Sequence, residues 1–93
     1  MFLTGKVILN QQECAGNCDF SIQERYLSAG FQNAFKEEAA QIAFTAIALI
    51  MEAYPHNADY LQTFKYVHSD ETETAFWAVH DGTHYTLLLP EEY

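Results

Sequence analysis

The feature that most constrains this chain is the stretch at residues 34–54, where the polar side chains fall on one narrow stripe. Glu38, Gln41, Thr45 and Glu52 recur at spacings of three, four and seven, and almost every other position is apolar. That period is helical. Asn33 is a good N-cap residue, and Glu37 and Glu38 follow in the first turn, where the helix dipole favours negative charge. Pro55 closes the helix, because it lacks a backbone N–H and disfavours helical geometry at Tyr54. A helix apolar over most of its circumference has to be covered on more than one side. A sheet covers one side. The other requires the amino-terminal segment or a second subunit, so a homodimer is one expectation.

The remaining patterns read as strands. Residues 1–9 are apolar and partly β-branched, whereas residues 10–19 lose the apolar pattern and carry Gly16, Asn17 and Asp19, which marks a loop. Residues 20–31 fit neither period well; a strand over 24–31 is the expectation, with Gly30 weighing against a helix. Residues 59–68 are rich in aromatic and β-branched side chains, with Gln62 and His68 sharing a face with Tyr60, Phe64 and Tyr66. Residues 69–74 form an acidic turn. Ala75-Phe-Trp-Ala-Val-His80, Asp81-Gly82 and Thr83-His-Tyr-Thr-Leu-Leu-Leu89 then read as a hairpin, with Asp-Gly supplying the positive dihedrals of a type I′ turn. Pro90 stops the last strand before an acidic tail. The predicted fold is one domain, 1–93, of the α+β class: one long apolar helix (about 34–54) packed on an antiparallel sheet of four to five strands, a two-layer sandwich.

Charge narrows the function classes. Thirteen Asp and Glu face four Lys and Arg, for a formal charge of -9. Affinity for phosphate comes mainly from Lys and Arg, so direct nucleic-acid binding and adsorption to anionic membranes are both disfavoured. Residues 1–10 show no secretory pattern, and the longest apolar stretch, 39–51, is too short for a membrane span of about 20 residues. A cytoplasmic protein is the expectation.

Two constellations bear on chemistry. Cys14-Ala-Gly-Asn-Cys18 with His80 and His84 contains the donors of a tetrahedral zinc site, at a spacing unlike the usual C-x2-C or C-x4-C. A two-residue hairpin loop pairs His80 with Thr83 and His84 with Val79, which sends the imidazoles to opposite faces. The other reading is two reduced thiols in a loop and two surface histidines. Asp81 beside His80 and His84 is the only tight cluster of titratable groups, and no nucleophile, phosphate loop or cofactor motif accompanies it. The chain reads as a non-enzyme with no cofactor, zinc being the alternative.

The stretches Arg25-Tyr-Leu-Ser-Ala-Gly30, the helix after Asn33, Asp59-Tyr-Leu-Gln-Thr-Phe-Lys65 and Val79-His-Asp-Gly-Thr-His-Tyr-Thr-Leu-Leu-Leu-Pro-Glu-Glu-Tyr93 follow one another in an order and spacing that resemble a family of small bacterial and phage proteins, domain-of-unknown-function family 960, over roughly residues 24–93. The resemblance implies an α+β fold and an origin in mobile elements. It brings no activity and no catalytic residues.

Residues 66–93 hold Asp70, Glu71, Glu73, Asp81, Glu91 and Glu92 and no Lys or Arg. If the final strands are neighbours, the two turns and the tail make an acidic surface interleaved with Trp77 and Tyr85, types that anchor interfaces. Such a surface suits a small inhibitor that occludes the basic surface of a nucleic-acid-binding protein, for example a host nuclease, as anti-CRISPR and anti-restriction proteins of this size and acidity do. The plainer alternative is that the acid confers solubility and the aromatics fill the core. A structural or regulatory homodimer is a further alternative.

Overall fold

A computed structural model describes residues 3–21 and 24–93. The first two residues of the predicted opening strand, Met1 and Phe2, and Ile22 and Gln23 of the ambiguous segment lie outside them. The fold is α+β: five strands in one mostly antiparallel sheet, with a helical layer on one face. The strands are β1 (Lys6–Leu9), β2 (Arg25–Leu27), β3 (Leu61–Val67), β4 (Glu73–His80) and β5 (Tyr85–Leu88), in the spatial order β1-β3-β4-β5-β2. All neighbours are antiparallel except β2, which pairs parallel to β5 at one edge.

The helical layer starts earlier than residue 34. Ser28, not Asn33, is the N-cap: its hydroxyl accepts from the Phe31 N–H at 3.0 Å and opens α1 (Ala29–Phe35). The predicted strand over 24–31 therefore shrinks to three residues, and Gly30 and Phe31 are helical. At Lys36 the backbone turns to φ 51° and ψ -118°, breaking the helix. A short 3-10 turn (Lys36–Glu38) leads into α2 (Ala39–Ala53), which ends just before Pro55 as the sequence predicts. Ala39, Ile42, Ala43, Ala46, Ile47 and Ile50 are buried at the three-and-one spacing of a single helical face. The break lets α1 insert Phe31 and Phe35 over the same core.

The sheet side of that core follows strand alternation. Gln62, Phe64 and Tyr66 of β3 are buried, with Phe76, Ala78 and His80 of β4 beside them. Phe64 and Phe76 stack at 4.8 Å, and Phe31 and Phe35 meet Phe76 edge-on at 5.4 and 5.6 Å. The second cover for the helix comes partly from the amino-terminal segment, since β1 adds Val7 to the core. Phe44 and Met51 on α2 stay 64% and 44% exposed.

The hairpin register differs from a two-residue loop. His80 pairs with Tyr85, leaving Asp81, Gly82, Thr83 and His84 in the loop. The Asp81 carboxylate takes the Thr83 and His84 N–H groups at 3.1 Å, and the Gly82 N–H donates to His80 Nδ1 at 3.0 Å. These local bonds hold the wider turn, with Gly82 alone in it at positive φ, 103°. The register differs by two residues, so His80 and His84 keep their opposite faces.

Candidate protein-binding face

The helices cover one face of the sheet, and the other carries no helix layer among the described residues. Register and alternation assign that open face: Thr63, Lys65 and Val67 of β3 lie opposite Trp77, Ala75 and Glu73 of β4, and Leu88 of β5 lies opposite Trp77. Tyr26 of β2 shares this face through its pairing with Thr86. Trp77 is thus central. Leu88 is buried beneath this surface and is not part of the core under the helices.

The segment after β5 folds onto this face. A 3-10 turn (Pro90–Glu92) places the Tyr93 ring edge-on to Trp77, with centroids 5.5 Å apart. The Tyr93 phenol also lies close to that of Tyr60 and, by its charge first, holds the Tyr60 hydroxyl above the usual phenol range. Trp77 and Tyr93 therefore form an aromatic pair with Tyr60 close to Tyr93, and Tyr60 and Tyr93 are 47% and 66% exposed. Tyr26 and His84 form a second pair on the β2 side, 4.7 Å apart.

Beside the aromatic group lies a hollow of about 170 Å³ lined by Gln11, Gln12, Glu13, Asp59, Leu61 and Thr63. Thr63 and Leu61 are the partners of Trp77 and Val79, so the hollow is continuous with the open face. Gln12 builds it. Its Oε1 accepts from the Asp59 N–H at 2.9 Å and from Gln62 Nε2 at 2.7 Å. Its Nε2 donates to the Asn57 carbonyl at 2.9 Å, and its own N–H donates to the Tyr54 hydroxyl at 3.1 Å. The loop after β1 is thereby tied to the start of β3, which brings Glu13 and Asp59 to one hollow without a Lys or Arg in its lining, with Asp59 Oδ1 accepting from the Tyr60 N–H at 2.9 Å.

The acidic residues singled out in the sequence do not form one surface. The β3–β4 turn holds Asp70 and Glu71, while Asp81 sits at the opposite end of the eight-residue β4, about 25 Å away at the usual strand rise. Asp70 is engaged within its turn: hydrogen bonds from the Thr72 hydroxyl and N–H hold its carboxyl below the usual range. Asp81 is lowered by the Thr83 and His84 N–H groups. Glu73 lies 3.8 Å from Lys65 on the open face. Glu92 folds inward, accepting from the Ser28 hydroxyl at 2.5 Å, the Leu89 N–H at 2.8 Å and the Gly30 N–H at 3.0 Å. Those bonds, the Ser28 hydroxyl first, depress its pKa and make it the anion at the α1 N-terminus. Glu71 and Glu91 are exposed. Tyr85 is a correction: it faces inward, 4% exposed against Phe20, because its register with His80 places it on the helix side.

The residues of the zinc alternative are not brought together. Cys14 is exposed, Cys18 is half-buried in a bridge to Ala58, and both are free thiols. Burial, with Asp59 nearby, pushes the Cys18 thiol up, away from the thiolate a metal needs. Both ring nitrogens of His80 are engaged, Nδ1 by the Gly82 N–H and Nε2 by the Asp19 carbonyl at 3.0 Å. His84 points the other way, 3.0 Å from Asp81 Oδ2. Among the described residues no three His, Cys, Asp or Glu side chains are grouped to hold a metal ion. Nor is any helix among them long and apolar enough to cross a membrane.

Comparison with protein-family models, with curated proteins and with solved structures finds no match.

Proposed function

We propose that this chain is a small acidic protein-binding module, of the mobile-element kind the family resemblance implies, which occludes the basic surface of a nucleic-acid-binding protein such as a host nuclease. The observation that carries the reading is the open sheet face, where exposed Tyr93 packs edge-on against Trp77, with exposed Tyr60 close to Tyr93, beside the hollow that Glu13 and Asp59 help to line. Aromatic anchors ringed by polar groups are the usual make-up of an interface core, and a net charge of -9 steers such a face toward a basic partner.

A tagged pull-down from host lysate, washed at about 0.1 M and then about 0.5 M salt, tests this, because exposed charge pairs are screened across that range. A stoichiometric, salt-released nucleic-acid-binding protein is expected. The triple variant Glu71→Lys, Glu73→Lys and Glu91→Lys should lose it; Asp70 is kept because its carboxylate holds the β3–β4 turn. A triple variant that captures the partner as well as the parent refutes the electrostatic reading.

The second reading, a homodimer, draws on the exposure of Phe44 and Met51 on α2. Ala46 and Ile50 are fully buried under the sheet and so are already spoken for within one subunit. A dimer in light scattering that Phe44→Glu dissociates would establish it, and a monomer at micromolar concentration would dismiss it.

A further inference from the structure

The binding reading leaves open what kind of side chain the open face accepts, and the hollow and aromatic group together restrict the choice. Trp77 offers an indole with Tyr93 set edge-on at 5.5 Å, and the exposed Tyr60 lies close to Tyr93. Glu13 and Asp59 line the adjoining hollow without a cation among them. The nearest lysine on the face, Lys65, is two residues from Thr63 along β3 and is engaged by Glu73 at 3.8 Å. Aromatic faces attract cations through their quadrupole, and carboxylates at the edge of such a platform complete the site for a planar guanidinium. A second copy of this chain is a poor occupant, since each copy carries -9.

We propose that Trp77, Tyr93 and Tyr60, with Glu13 and Asp59 in the adjoining hollow, seat an arginine side chain from an extended basic segment of the partner protein. The inference rests on the protein-binding reading above and adds the chemistry of the contact. The guanidinium lies over the aromatic group with its N–H groups toward the two carboxylates, and the rest of the basic segment runs across the open sheet face.

Trp77 is the sole tryptophan, so its emission reports the seat directly. The full chain is titrated with a short synthetic peptide of alternating arginine and glycine, with the lysine counterpart, and with the citrulline counterpart, which keeps the shape of arginine without its charge. The expected result is a saturable change in Trp77 emission with the arginine peptide, weaker binding of the lysine peptide and at least about tenfold weaker binding of the citrulline peptide. Calorimetry on Tyr93→Leu and Tyr60→Leu should show about fivefold or greater weakening for each, with circular dichroism melting unchanged. Both rings are exposed, so these variants keep the test valid if Trp77→Leu fails to fold. Glu13→Gln with Asp59→Asn should weaken the arginine peptide and leave the citrulline peptide unchanged.

Equal binding of arginine and citrulline peptides overturns the seat, and so does parental affinity in both tyrosine variants. A nucleic-acid-binding protein captured from lysate with undiminished affinity by the tyrosine variants also overturns the seat, while the module reading stands. Aromatic-dependent arginine binding with no nucleic-acid-binding protein in the pull-down supports the seat and removes only the proposed target.

Discussion

Lys36 stands at φ 51° and ψ -118° between α1 and α2, a backbone conformation that L side chains rarely adopt. Cβ crowding against the backbone there costs about 1–2 kcal/mol, which glycine escapes. Glycine in turn loses roughly 0.5–1 kcal/mol more conformational entropy on folding. Lys36→Gly should therefore stabilise the fold by about 0.5–1 kcal/mol, or roughly 2–8 °C in Tm for a chain of this size. The backbone N–H of residue 36 still donates to the Gln32 carbonyl, and Lys36 forms no ion pair among the described residues, so little else changes. Lys36→Ala is the matched control, because it removes the ammonium and keeps the Cβ. Thermal unfolding followed at 222 nm, with urea titration for the free energy, separates the two. A glycine variant that melts no higher than the alanine variant would refute the backbone argument, since the charge alone would then account for any shift.

Two further outcomes follow from the contacts of Glu92 and Gln12. The Glu92 pKa is depressed in the fold, so its clamp on Ser28 and Gly30 is present above the unfolded value and is lost as pH falls through the lower folded value. At a pH below the ordinary glutamate range the segment should release Tyr93 from Trp77 and shift the tryptophan emission; Glu92→Gln should show the released spectrum already at neutral pH, and a parental spectrum there would contradict the clamp. Gln12→Ala removes the 2.7 Å acceptor of buried Gln62 Nε2, which keeps only the Asp59 carbonyl at 3.1 Å, and the acceptor of the Asp59 N–H; it should lower stability by about 1–2 kcal/mol in urea unfolding while abolishing arginine-peptide binding, because the hollow loses its brace.

How far the sequence disclosed this molecule depended on the range of the interaction involved. The period of β3 and β4 was legible in the alternation of Phe64, Tyr66, Phe76 and Ala78, and Pro55 marked the end of α2. The start of α1 was not legible, because Ser28 with Ala29 and Gly30 is a weak local signal. It is completed by Glu92, 64 residues further along the chain, whose carboxylate meets the Ser28 hydroxyl and the Gly30 N–H. A Cβ at residue 30 would lie 2.5 Å from that carboxyl carbon, so Gly30 serves the approach of the tail and does not signal a strand. The wider hairpin loop is not legible in the sequence, because Asp81 satisfies the Thr83 and His84 N–H groups with its own side chain, a choice Asp-Gly alone does not reveal. The candidate site was half visible. Trp77 stood out, but Glu13 and Asp59 come together only through the bonds of Gln12, and no spacing along the chain announces such a meeting.

The parallel pairing of β2 with β5 dictates an order of assembly. The antiparallel unit β1-β3-β4 is complete within residues 6–80, with only the β5 side of β4 left open. Residues 25–27 have no neighbouring strand until residues 85–88 emerge, and the first turn of α1 has no anion until Glu92 follows. Phe31 and Phe35 already have Phe76 to pack on through that interval, but they sit on a helix whose beginning is still open. Contacts of such long sequence separation form slowly. One edge of the sheet and one end of the helical layer therefore close together, in a single late step.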